Sequence, residues 1–130
     1  MTDPVWIHPG VVLAMHESQL AEHGGAPGLR DEGLLGAALA RPRHRHAYGE
    51  TEICALAAAY AFGIVRNHPF IDGNKRTALL ATFVFLRMNG WLLVAPEADA
   101  AAATLALADG EMDEAAFADW LRRNSVVSAD

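Results

Sequence analysis

The run Arg66-Asn67-His68-Pro69-Phe70-Ile71-Asp72-Gly73-Asn74-Lys75-Arg76-Thr77 is dense in polar chemistry and lies between the two most apolar stretches of the chain. Glu52 to Arg66 carries Ile53, Leu56, Ala57, Tyr60, Ala61, Ile64 and Val65, and it has no polar face. A helix of that kind has to be surrounded by other elements. The second stretch, from about Asn74 to Asn89, carries Leu79, Leu80, Phe83, Val84 and Leu86. Two such helices belong at the centre of a bundle, and the polar run is the loop that joins them. Gly73-Asn74 opens the second helix with Lys75 and Arg76 in its first turn. The helix dipole disfavours cations there unless an anion occupies the same end. The pattern therefore points to an anion site, with phosphate as its chemistry and His68 as a base beside it.

The remaining segments predict further helices. Pro9 suits the first position of a helix running to about Glu22, stopped by Gly24-Gly25. Asp31 caps a short helix with Leu34, Leu35, Ala38 and Leu39 on one face, which Pro42 is expected to end. Residues 42–50 read as an exposed loop or small hairpin. Arg87 and Asn89-Gly90 close the second central helix, and Trp91 to Val94 reads as a short extended piece. Pro96 starts an alanine-rich helix with Glu97 and Asp99 in its first turn, ending at Asp109-Gly110. Asp113 caps the last helix, where Phe117, Trp120 and Leu121 face inward and Arg122 and Arg123 complement the dipole. The expected fold is all-α, a compact bundle of about six helices in a single domain over 1–130.

Composition narrows the function classes. With 52% apolar and 20% charged residues the chain is globular, and a net charge of −6 gives no general attraction to nucleic acid. Cys54 is the lone cysteine, so no internal disulfide can form and a reducing, cytoplasmic location is expected. No signal peptide is evident, and the apolar stretches at 53–65 and 77–86 are too short to span a bilayer.

Each residue of the loop has a chemical and a structural reading. His68 is a candidate general base, or a ring that caps backbone groups. Asp72 is a candidate Mg²⁺ ligand, or the N-cap of the following helix; one oxygen could serve each role. Gly73 and Asn74 are an anion cradle, or a tight turn. Lys75 and Arg76 neutralise phosphate, or are solvated helix surface. Arg66 complements the dipole at the end of its helix. Phe70 is a core anchor, Pro69 stiffens the turn, Thr77 is a helix-packing hydroxyl, and Cys54 is a buried small hydrophobe. His44 and His46 lack further clustered metal ligands and read as loop residues.

His68-Pro69-Phe70-Ile71-Asp72-Gly73-Asn74-Lys75-Arg76-Thr77-Ala78 resembles the signature loop of the Fic/Doc superfamily, and its death-on-curing (Doc) branch in particular. The resemblance extends over nearly the whole chain. It includes Gly24-Gly25-Ala26-Pro27-Gly28-Leu29-Arg30-Asp31, the Ala40-Arg41-Pro42 helix end and Arg87-Met88-Asn89-Gly90. It implies a Fic/Doc-like fold and a transferase acting on a nucleoside triphosphate. Fic proteins mostly attach AMP to a target hydroxyl. Doc toxins transfer the terminal phosphate of ATP, with Mg²⁺, to a threonine of elongation factor Tu and so block translation. The resemblance also implies a partner, a Phd-like antitoxin that is itself a DNA-binding repressor. It assigns catalysis to His68, metal binding to Asp72 and nucleotide binding to Arg66, Gly73, Asn74, Lys75 and Arg76. Residues 42–50 correspond to the flap that positions the target segment.

The departures favour the kinase branch. Fic AMP-transferases have glycine at the position of Lys75 and a second arginine at that of Leu79. The glycine leaves an open backbone nest, and the arginine clamps phosphate through two parallel bonds. An asparagine of the Doc toxin corresponds to Leu80. The alternatives are an AMP-transferase and a non-enzymatic relative that binds only its antitoxin or a nucleotide. Ser18 to His23 nearly fits the inhibitory pattern of self-inhibited Fic proteins but fails at the last position, so inhibition is expected from a partner chain.

Overall fold

In the computed structural model, which describes residues 3–128, six helices surround one apolar core. They are α1 (Pro9–His23), α2 (Glu32–Ala47), α3 (Ile53–Asn67), α4 (Asn74–Met88), α5 (Glu97–Asp109) and α6 (Glu114–Arg123). A short antiparallel pair, β1 (Trp91–Leu93) and β2 (Ser125–Val127), completes the chain. The all-α bundle read from the sequence is the observed architecture, and its two central helices are α3 and α4.

Every residue of α3 from Cys54 to Ala61 is buried, because α2, α4, α5 and α6 all pack on it. The alanine run lets those neighbours approach closely. At Gly63 an added Cβ would lie 2.9 Å from the carbonyl oxygen of Ala38, so α2 and α3 touch backbone to backbone there. That contact bears on Pro42. Helix α2 does not stop at this proline and runs through it to Ala47, so the expected loop over 42–50 is mostly helix. Pro42 has no N–H for the Ala38 carbonyl four residues back. The close approach of Gly63 covers that carbonyl, and Pro42 itself is buried.

Arg41, just before the proline, and Arg45, in the added stretch of α2, converge on Glu114 of α6. Arg41 Nε and Nη2 donate to Oε1 at 3.0 and 2.5 Å, and Arg45 Nη1 donates to Oε2 at 2.8 Å. Glu114 is a buried carboxylate satisfied by two guanidiniums, a pairing that makes its burial tolerable. His46 serves packing: its Nδ1 lies 3.0 Å from the carbonyl of Glu50 and its ring meets Trp6 edge-on.

The caps follow the sequence signals. Pro9 opens α1, Asp31 Oδ1 accepts from Leu34 N–H at 2.9 Å, and Asp113 Oδ1 accepts from Ala116 N–H at 2.7 Å. Strand β2 was not expected; its pairing of Leu92 with Val126 ties the end of the chain to the exit of α4. Cys54 is buried, and loss of solvent pushes its thiol up to about 11. Among the described residues no helix is long and apolar enough to cross a membrane.

Candidate active site

Helix α3 ends at His68, which adopts left-handed backbone geometry with φ 50° and ψ 55°. Among the described residues it is the only non-glycine with positive φ. That conformation costs a non-glycine residue about 1 kcal/mol, and the surrounding backbone has to hold it. Arg30 does so, donating from Nε to the carbonyl of His68 at 2.7 Å and from Nη2 to that of Asn67 at 2.8 Å. The turn between α1 and α2 continues the hold. The N–H groups of Arg30 and Asp31 both donate to the Pro69 carbonyl, and Ile71 N–H donates to that of Gly28. Phe70 is buried and anchors the loop, as expected.

The Asn74 side chain closes the loop from the other end. It accepts from Phe70 N–H at 3.0 Å and donates to the Phe70 carbonyl at 2.9 Å. It is buried, so only its main-chain N–H remains for a ligand. Helix α4 makes its first internal bond from Thr77 N–H to the Gly73 carbonyl. The N–H groups of Asn74, Lys75 and Arg76 precede that bond and form the donor end of the helix. Lys75 and Arg76 are exposed beside it, while Thr77 is buried, with no hydrogen-bond partner for its hydroxyl among the described residues.

Asp72 is not the cap of α4. That place belongs to Gly73, left-handed and without a side-chain bond. The Asp72 carboxylate accepts from Gly73 N–H at 2.8 Å through Oδ1 and from Ala26 N–H at 3.3 Å through Oδ2. These two backbone bonds hold it below the usual carboxylate range. A small desolvation effect opposes them, and Arg76 and Lys75 add their charge in the same direction. The carboxylate is thus exposed and ionised, with lone pairs left over on both oxygens.

These groups line one cleft of about 520 Å³, a size suited to a small-molecule ligand. His68, Asp72 and Gly73 to Arg76 form its polar side. Val65 and Leu79 supply apolar surface, and Ala101, Leu105 and Ala108 of α5 face them. Arg66 does not line this cleft. It is exposed at the end of α3, with its guanidinium 5.7 Å from the centre of the Phe62 ring. Glu22, in the near-inhibitory pattern, borders a neighbouring groove with His23, Leu80 and Phe83. Among the described residues no group of three or more His, Cys, Asp or Glu could hold a metal on protein ligands alone. A cation shared with phosphate oxygens needs only one carboxylate, and Asp72 beside the donor end of α4 meets that requirement.

The sequence did not reveal the parts played by Arg30, Ala26 and the α5 wall. Arg30 and Ala26 lie in a glycine-rich turn some forty positions from the loop they hold, and only the family resemblance had marked that turn. The α5 wall belongs to an alanine-rich helix, whose sequence carries no chemical signature.

The helical bundle thus sets a backbone-pinned histidine and a carboxylate beside the donor end of a helix, a place suited to an anion. Residues 6–86 match the Fic/DOC family model, and the chain belongs to that family. It is 38% identical over 118 residues to "Protein kinase doc" of Escherichia phage P1, a match covering 90% of this chain and 93% of that protein. It is 47% identical over 75 residues to "Toxin Doc" of Mycolicibacterium smegmatis, covering 55% of this chain and 57% of that protein. Both relatives support the Doc branch of the family.

Proposed function

We propose that this protein is the toxin of a toxin–antitoxin module and acts as a phosphotransferase, moving the γ-phosphate of ATP to a protein hydroxyl. The target is a threonine of elongation factor Tu, and the consequence is arrest of translation in the cytoplasm. The observation that carries this reading is the single cleft lined by His68, the ionised Asp72 and the donor end of α4. The name of the phage P1 relative, a protein kinase, and that of the mycobacterial relative, a toxin, point the same way.

The geometry supports a role for each residue. His68 stands free at the cleft, its backbone fixed by Arg30, and takes the proton of the attacking hydroxyl. The hydroxyl oxygen bonds to the γ-phosphorus, the bond to the bridging oxygen breaks, and ADP departs. The N–H groups of Asn74, Lys75 and Arg76, with the two cationic side chains, hold phosphate charge. Mg²⁺, when bound, would neutralise charge on the phosphate oxygens, and Asp72 is the residue that would hold it. Arg66 contributes charge from outside the cleft. The partner is a Phd-like antitoxin that supplies the inhibition.

The test is the intact mass of elongation factor Tu after incubation with the protein, ATP and Mg²⁺. An added phosphate that depends on His68 supports the reading. An added AMP, or an unmodified target together with no toxicity on expression, overturns it.

A further inference from the structure

His16 is a polar side chain on the buried face of α1, 4% exposed. Its ring stacks flat on Phe70, with centroids 3.8 Å apart and planes 8° from parallel. Its Nε2 lies 2.8 Å from the main-chain carbonyl oxygen of Asp72. A carbonyl oxygen only accepts, so Nε2 carries the proton and donates. The ring also lies beneath Gly73: an added Cβ there would be 3.6 Å from its Cδ2 and Nε2.

These contacts act on one peptide group, the one between Asp72 and Gly73. Its carbonyl is held by His16, and its N–H donates to the Asp72 carboxylate at 2.8 Å. Rotation of that peptide would break both bonds together. It would also turn the carboxylate and tilt the start of α4, whose N–H groups follow directly. A histidine needed only for packing would make the stacking contact with Phe70 and leave Nε2 facing any acceptor. Here the acceptor belongs to the residue whose carboxylate faces the cleft.

We propose that His16 is a positioning residue for the transfer reaction: its Nε2–H fixes the Asp72–Gly73 peptide and so aims the Asp72 carboxylate at a phosphate-bound divalent cation. The proposal rests on the reading of Asp72 given above. Partners that orient metal-ligating groups typically change metal affinity or activity about 10–100-fold when removed.

Two substitutions separate hydrogen bonding from packing. His16→Phe keeps a flat ring for Phe70 and loses the donor; His16→Gln keeps a donor and loses the ring. Three quantities are measured on full-length protein: hydrogen exchange of the Gly73 amide without ligand, affinity for a non-hydrolysable ATP analogue with and without Mg²⁺, and kcat and KM for transfer. In His16→Phe we expect a folded protein, at least about tenfold faster Gly73 exchange, and about tenfold weaker binding of the Mg²⁺-loaded analogue. Binding of the metal-free analogue should be unchanged, and kcat should fall more than KM rises. His16→Gln should recover part of the exchange protection and part of kcat. Wild-type exchange and Mg²⁺-dependent binding in a folded His16→Phe protein would overturn the role. Should His16→Phe fail to fold, His16→Ala replaces it as the donor-free variant: Gly73 exchange and Mg²⁺-dependent binding no better in His16→Gln than in His16→Ala overturn the proposal. If the wild type binds no Mg²⁺-nucleotide, the functional reading above fails. Gly73 exchange in the two variants then still decides whether His16 holds the peptide.

Discussion

Gly25 and Asp72 are fitted to each other: a Cβ on Gly25 would lie 2.8 Å from Asp72 Oδ2, closer than real side chains come. The backbone of Gly25 also has φ 123°, a region that disfavours any other residue. The missing side chain leaves the carboxylate room to accept from Ala26 N–H next door. Gly25→Ala is therefore expected to push the carboxylate out of place. Transfer activity should fall at least about tenfold, as for loss of a ligand-orienting partner. Unfolding of the variant should show a loss of about 1–2 kcal/mol from the strained backbone. Unchanged Mg²⁺-dependent nucleotide binding in Gly25→Ala would show that the turn has no part in placing Asp72.

His68 allows a test in which stability and activity move apart. Its left-handed backbone suits glycine, whereas alanine keeps the Cβ penalty. His68→Gly should thus be about 1 kcal/mol more stable than His68→Ala in denaturant unfolding. Both should lose about 10²–10⁴ in transfer rate, because both lack the imidazole. Near-wild-type transfer by either folded variant would remove His68 from the base role. Equal stabilities would mean that the loop relaxes out of the left-handed region.

Asp72 makes a prediction about acid. Backbone bonds from Gly73 and Ala26, followed in effect by the charges of Arg76 and Lys75, lower its folded pKa below the unfolded value. The unfolded chain therefore binds the proton more readily. The stabilisation is present above the ordinary value of about 3.9 and is lost as pH falls through the lower folded value. Asp72→Asn has no carboxylate to protonate and should lack that part of the acid dependence. At neutral pH it should remain folded and lose most transfer activity. If it instead keeps its specific activity and unfolds more readily, Asp72 serves the turn and not the chemistry.

How much of this was legible depends on where the physical signal lies. The central helices α3 and α4 follow from composition, because a helix apolar on all sides has one place to go. Their joining loop stands out because polar groups crowd the end of the core. Asp31 and Asp113 are local signals, each bonding three residues ahead, and both were read correctly. Pro42 was misread because its surroundings are set by a distant residue: it is buried within α2, and Gly63 of α3 packs against the Ala38 carbonyl that Pro42 leaves without an N–H. Arg45 fell in the expected exposed loop because its carboxylate, Glu114, lies some seventy positions away. His16 lies on the buried face of α1, and nothing along the chain names its acceptor. Spacing offered Asp72 a capping role beside its metal-ligand reading, whereas Gly73 takes the cap and the carboxylate turns to Ala26.

The identity of the transferred group turns on Lys75 and Leu79, which lie one helical turn apart on α4 and line the same cleft. Lys75 is exposed in the first turn, where its ammonium adds charge to the N–H donors while its stem occupies space beside them. Leu79 offers no phosphate donor at the position where AMP-transferring relatives place an arginine. On the proposed function, together they favour a nucleotide seated with its terminal phosphate towards His68. In-line attack needs the reacting atoms about 3–3.5 Å apart, so a shifted nucleotide changes which bond breaks. The wild type should pass label to its target from γ-labelled ATP and none from α-labelled ATP. Lys75→Gly combined with Leu79→Arg opens the backbone and adds the two-pronged phosphate donor. The glycine costs less than about 1 kcal/mol of helix stability, so the double variant should fold. Its γ-label transfer should fall, and α-label on the target should become detectable. A wild-type protein that leaves α-label and no phosphate on its target would reverse the assignment and reduce Lys75 to a charge on the helix surface.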